Sequence, residues 1–272
     1  MISSSLRAKI KGYLEGFLQG LIEDKKRDRA SGRSSEAPSE QARAARGDYR
    51  PFHEAILPEG LLRVTEFERS FSTRLGTTFE EVARLIGQEN WGTAQRAFGV
   101  SGTVSSRAVR TVERICNRIT TGGIRKPWPK LVEEVLRQAE GPGDERKRTA
   151  DLYLADGRGH EIFFEIKSPK PNKGQCVEVA DRLLQIHAIR REGPPRVRTF
   201  FAMAYNPYGE DRAAYKHSLA ISYLDMRNQV VVGREFWDLV GGAGTYDEVL
   251  DIYREVGREK GPDMLEQLAL DY

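Results

Sequence analysis

Two runs rich in aromatic and branched residues, Asp151 to Ala155 and Glu161 to Lys167, flank the short loop Asp156-Gly157-Arg158-Gly159. No other stretch limits the fold as tightly. Runs of this kind around a glycine-containing loop predict a β-hairpin. A three-residue loop at Gly157 to Gly159 pairs Asp156 with His160, and counting outward puts Asp151 opposite Glu165. Opposed residues on an antiparallel pair carry Cβ atoms about 5 Å apart on one face. Lys167 shares that face, because strands alternate with a period of two. Leu152, Leu154, Ile162, Phe164 and Ile166 take the other face. The alternation is therefore expected to separate a buried apolar face from a charged one.

Two carboxylates at that separation repel unless a cation lies between them. Mg²⁺ is commonly held by one or two carboxylates, with waters and a substrate phosphate completing its octahedron. Such an ion polarises a phosphoryl oxygen and lowers the pKa of a bound water. Lys167 beside it either stabilises developing negative charge or positions the attacking water, and the sequence leaves both roles open. The same residues also describe an ordinary half-exposed strand with a cross-strand ion pair. The next segment weighs toward chemistry. It carries Lys170 and Lys173, the amides of Asn172 and Gln175, and Gly174, where a backbone can come close to a ligand.

At 272 residues the chain can bury a full core, as one large domain or two small ones. No run reaches the apolar length of a membrane span, and the N-terminus lacks the pattern of a secretory signal. Cys116 and Cys176 stand far apart with no Cys-x-x-Cys partner, which points to a reducing compartment and away from structural zinc. The expected location is the cytoplasm. A net charge of +3 does not by itself mark a DNA binder. Local clusters say more: Lys25-Lys26-Arg27, Arg125-Lys126, Arg146-Lys147-Arg148 and Lys170 with Lys173 together suit a phosphate track, although each alone is usually a solvated surface.

Leu6 to Ile22 has helical apolar spacing, and residues 24–47 read as a mobile connection. Helical spacing resumes over Phe67 to Phe98, broken near Gly76 and Gly87, and over Ser105 to Ile119, and Trp128 opens a helix over about 130–140 as a packed residue. After the hairpin come a helix over Cys176 to Arg191, with His187 packed in it, and strands at Arg198 to Tyr205 and Gln229 to Val232. Helices from Phe236 and from Tyr246 close the chain. Gly241 to Gly244 lacks the Lys-Ser/Thr of a nucleotide-binding loop and reads as a turn. The expectation is an α/β fold: a mixed sheet flanked by helices over residues 141–272, with a mostly helical region over 1–140, packed together as one domain.

Asp151, Glu165 and Lys167 match the PD-(D/E)xK nuclease motif, with Ala150 in the Pro position. The wider stretch Ala150 to Cys176, with Ala202 to Gly209 and Val232 to Tyr246, resembles type II restriction endonucleases of the TdeIII family. The resemblance implies a restriction-endonuclease-like core. It also implies Mg²⁺-dependent cleavage of double-stranded DNA at a short palindrome of the GGNCC type by a homodimer. A cognate DNA methyltransferase is then the genetic rather than physical partner. Carried over, Asp151 and Glu165 are metal ligands, the Ile166 carbonyl is a further ligand, and Lys167 is the catalytic lysine. An extra glutamate from an earlier helix has candidates in Glu80 and Glu81, with a surface role as the alternative.

Asn206, with Asn172 and Gln175, is a candidate for base-edge contacts. For G·C pairs, Lys170, Lys173 and Arg212 take that place, since cationic side chains pair with guanine. Two other functions fit the same residues. A nonspecific or repair nuclease would share the centre, and a non-catalytic DNA-binding protein would carry it as an ion-pair cluster.

Overall fold

The structure is a computed structural model that describes residues 2–28 and 59–268. In chain order the elements are α1 (Ser4–Asp28), α2 (Glu59–Trp91), β1 (Thr93–Ser105), α3 (Ser106–Gly122), α4 (Trp128–Leu136), β2 (Gly143–Ala155) and β3 (Glu161–Ile166). There follow α5 (Lys173–Arg190), β4 (Val197–Met203), α6 (Ser218–Tyr223), β5 (Val230–Val232), α7 (Arg234–Gly241) and α8 (Thr245–Leu268). Helix α1 runs through Asp28, and the rest of the connection expected to Gly47 lies outside the described residues.

Two compact units emerge. One holds Phe79–Glu248 with Ile2, and the other includes α1, the start of α2 and most of α8. In the second unit Leu6, Ile10, Leu14, Leu18, Leu21 and Ile22 form the buried stripe of α1, which is the stripe the spacing predicts. Its charged side pairs with α8, through Arg7 to Glu255 at 2.6 Å and Lys11 to Glu255 at 2.8 Å.

The first unit is built on a five-stranded sheet in the order β1-β2-β3-β4-β5. The β1–β2 and β2–β3 pairs are antiparallel, and β3–β4 and β4–β5 are parallel. A parallel neighbour requires a crossover, which α5 supplies between β3 and β4. The result is the mixed α/β sheet flanked by helices that the sequence predicts.

The hairpin register is the expected one. Ala155 faces Glu161, Leu154 faces Ile162 and Leu152 faces Phe164. Beyond them, the Asp156 N–H donates to the His160 carbonyl at 3.1 Å. Asp156 closes the turn by accepting from the Arg158 and His160 N–H groups at 2.9 Å each, and Gly159 takes φ +84°, a conformation open to glycine.

Three expectations change. First, the hairpin does not have one wet face. Strand β3 lies inside the sheet and is covered on both sides, so Phe163 and Phe164 are both fully buried. Leu154 meets the α2 side at Gly87, and Phe164 packs edge-on to Phe236 of α7. On the opposite side Tyr153 and Phe163 share a core with Val179, Ala180 and Leu183 of α5.

Second, the helix runs unbroken through Gly76 and Gly87, where a break is expected, and stops at Trp91 rather than Phe98, and Thr93–Ser105 is a strand. Third, β2 begins at Gly143, eight residues before Asp151, and pairs with β1 along its length. The close approach of the two strands leaves no room for a side chain at Gly143, whose Cβ would fall 1.8 Å from the Val104 carbonyl oxygen.

The long β1–β2 ribbon is interrupted at one point. Arg96 pairs with Leu152 and Phe98 with Ala150, but Ala97, at φ +47°, skips its pairing opposite Asp151. Ala150 and Tyr153 then join the same core although three residues apart, so alternation breaks at Asp151. An alanine in the left-handed region is strained. That strain sits directly across from the first candidate carboxylate.

Candidate active site

Asp151, Glu165 and Lys167 come together where the β2–β3 hairpin ends. The Asp151 carboxylate accepts from the Ile166 N–H at 2.8 Å and from the Lys167 Nζ at 3.2 Å. Lys167 Nζ also lies 3.3 Å from Glu165 Oε2, so one ammonium bridges both acids. The hairpin register and the strand period put these three at one end of the pair, and the bond from the Ile166 N–H to Asp151 completes the meeting where the alternation breaks.

The fourth member is Arg182 on α5. Its Nη1 donates to Glu165 Oε2 at 2.8 Å, and its Nη2 donates to Glu178 Oε1 at 2.8 Å. Arg182, Glu178 and Asp181 of α5 line a shallow groove with Lys147, Arg148 and Thr149 of β2. Arg182 is the residue that this groove shares with the Glu165 ion pair. The sequence reading missed Arg182, although its spacing from Glu178 is a helical ion pair, because such pairs are usually solvated surface.

The electrostatics are unbalanced at Glu165. Its side chain is fully buried, and Oε1 has no hydrogen-bond partner. Burial, reinforced by the nearby Asp151 charge, pushes the Glu165 carboxyl up to about 7, against the pull of Lys167 and Arg182. For Lys167, burial works against the charge, but Asp151 and Glu165 outweigh it and hold the ammonium above its ordinary value.

A bare buried carboxylate oxygen beside a second carboxylate has the chemistry of a cation site. Among the described residues no three His, Cys, Asp or Glu side chains converge as a metal cage. A divalent ion here would draw on the two acids, backbone carbonyl, water and phosphate.

Comparison with known proteins places the chain in a family. The family described as Type II restriction endonuclease, HinfI, matches residues 2–257. The chain belongs to this family. Three relatives from Herpetosiphon aurantiacus are similar over most of their length. The type II restriction enzyme HgiCII is 42% identical over 231 residues, 84% of each chain. HgiEI and HgiBI are 41% and 40% identical over 227 residues, 82% of each chain. The TdeIII resemblance thus holds at the level of type II restriction endonucleases, and the family matched is HinfI.

In this HinfI-family fold the other candidates are distributed unevenly. Lys170 follows Lys167 on the loop into α5, Asn172 caps that helix, and Lys173 and Gln175 lie in its first turn. Asn172 and Gln175 are the capping box of that helix: the Gln175 N–H donates to Asn172 Oδ1 and the Asn172 N–H to Gln175 Oε1, both at 2.9 Å. Asn206 is spent within its own loop, donating to the Asp211 carbonyl at 2.8 Å and accepting from Tyr208 N–H at 3.0 Å. Arg212 pairs with Glu235 and donates to the Val230 carbonyl at 3.2 Å. Glu80 and Glu81 pair with Arg96, at 2.9 and 3.4 Å. Arg96 faces Leu152, hence the side of the sheet opposite Glu165. The structure does not bring those two glutamates to the hairpin acids.

Proposed function

We propose that the chain cleaves double-stranded DNA at a short palindromic sequence, by Mg²⁺-dependent hydrolysis at Asp151, Glu165 and Lys167. The observation that carries the mechanism is the buried Glu165 with one bare oxygen, set beside Asp151 and bridged by Lys167. Membership in the HinfI family supports the reaction class. The PD-(D/E)xK reading, a GGNCC-like site and a homodimer rest on the sequence resemblance and belong to the same proposal.

Asp151 and Glu165, with the Ile166 carbonyl, would hold the ion. When bound, it supplies Lewis acidity to a phosphoryl oxygen and acidity to a bound water. The chain's own residues do the rest. The Ile166 N–H fixes the orientation of Asp151. Arg182 holds Glu165 in place and offsets its charge. Lys167, tethered between the acids, presents a cation where negative charge grows on the phosphate. Lys170 and Lys173 lie next along the chain and would contact DNA. The amide groups of Asn172 and Gln175 still have N–H donors beyond the cap. Asn206 and Arg212 serve recognition only by releasing their internal partners, so they rank behind the lysines.

The test is digestion of plasmid DNA with Mg²⁺ or EDTA, with fragment ends sequenced. Common ends at one short palindrome support the proposal. Random ends favour a nonspecific nuclease, and intact DNA leaves a binding protein. D151N and K167A should each lower cleavage by about a hundredfold or more while the far-UV spectrum stays that of the parent. Unchanged cleavage in either would sink the assignment.

A further inference from the structure

The loop after β3 and the loop after β4 are tied into one platform beside the candidate site. The Tyr215 hydroxyl donates to the Pro169 carbonyl at 2.8 Å, and His217 Nε2 donates to the Pro171 carbonyl at 2.9 Å. Tyr208 stands edge-on to Tyr215, with ring centroids 5.7 Å apart. Onto that one ring come two ammonium groups, Lys170 Nζ at 5.5 Å from the centroid and Lys216 Nζ at 5.6 Å. Both lysines are exposed, and neither has an acid partner among the described residues.

Two like charges gathered on one ring, with no carboxylate between them, leave an unfilled place for an anion. The tyrosine attracts both cations and narrows their conformations, so less freedom is lost when an anion binds. The position of the platform identifies the anion. Lys170 is three residues beyond Lys167, at the same end of the sheet, so a duplex seated on the hairpin acids runs its backbone past Tyr208.

We propose that Lys170, Lys216 and Tyr208 form a clamp for a DNA phosphate neighbouring the scissile one. The clamp rests on the nuclease reading and adds Lys216 and Tyr208 to it. As a phosphate contact, it fixes the position of the strand and carries no sequence preference.

The experiment measures binding in EDTA over a range of salt concentrations. The probes are a duplex containing the mapped cleavage sequence and a duplex of scrambled sequence. Replacing both lysines together, K170Q with K216Q, should flatten the plot of log affinity against log salt by about 0.9, the share of one phosphate, and each single variant by part of that, equally for both duplexes. Y208L should weaken binding to both duplexes, while Y208F, which keeps the ring, retains the slope that Y208L lowers. An unchanged slope in both lysine variants overturns the clamp. So does a loss confined to the cleavage-sequence duplex, which would make the lysines base readers. Failure of the nuclease reading is distinguishable, because the unmodified protein would then leave duplex DNA uncut in Mg²⁺.

Discussion

Glu165 concentrates the cost of the site in one side chain. A carboxylate fully buried with one oxygen bare gives up hydration without full return, a penalty of about 1–3 kcal/mol or more for a charged group. Its carboxyl titrates at about 7 in the folded protein, mainly through burial, against an ordinary value of 4.5. The sign follows from proton counting. Between those two values the folded state holds a proton that the unfolded state has released, so stability falls as pH rises through this window. Below it both states are protonated and nothing is lost. The full loss, on the order of 3 kcal/mol at most at about 1.4 kcal/mol per unit, is reached above the folded value. Melting in EDTA between about pH 5 and about pH 8 should show the parent losing stability relative to E165Q. Mg²⁺ should restore the parent at the alkaline end. Parallel curves for parent and variant would mean that Glu165 is not strained by its burial.

Helix α5 does three things at once, and only some of them are legible in sequence. Its N-terminal cap is the Asn172–Gln175 pair, its middle sends Arg182 to Glu165, and His187 near its end bridges to the Glu192 carbonyl at 2.9 Å and to Thr199 of β4 at 3.0 Å. Burial holds that histidine neutral, with its pKa pushed down to about 4. As a cap, Asn172 needs only a side-chain acceptor. N172A should therefore cost about 1 kcal/mol, and N172D should keep the parent's stability in urea unfolding. If N172D were as unstable as N172A, the capping role would be wrong. The β2–β3 hairpin was readable because its turn is local: Asp156, Gly159 and His160 set the register without help from elsewhere. Strand β1 was not, because Arg96, Gly99 and Gly102 dilute its apolar alternation, and it becomes a strand by pairing with β2. The burial of Glu165 and the reach of Arg182 both depend on how α5 docks on the sheet, which no window of sequence contains. Strand period and register bring Asp151, Glu165 and Lys167 to one end of the hairpin, so their proximity was legible in the sequence, whereas the break of alternation at Asp151 was not.

At the scale of the molecule, the described residues of one chain present one candidate hairpin site, whereas the proposed palindrome asks for a cut in each strand. Each strand of a palindrome offers the same sequence to an approaching site, related to its partner by a two-fold axis. Under the proposed palindromic cleavage, two copies of one chain would meet that requirement, each seating its own Asp151, Glu165 and Lys167 on one strand. The arrangement separates binding from cutting in a way that mixed subunits reveal. A D151N subunit keeps the platform, the lysines and the fold but not the acid that orients Lys167. Refolding parent with an excess of D151N should give dimers in which one site is dead. Such dimers should convert supercoiled plasmid to nicked circles and accumulate them, while parent dimers go on to linear DNA. Agarose gels over time distinguish the forms. If the mixture instead produced linear DNA in proportion to the parent present, with no lasting nicked form, each chain would be making both cuts itself and the paired-subunit arrangement would fall.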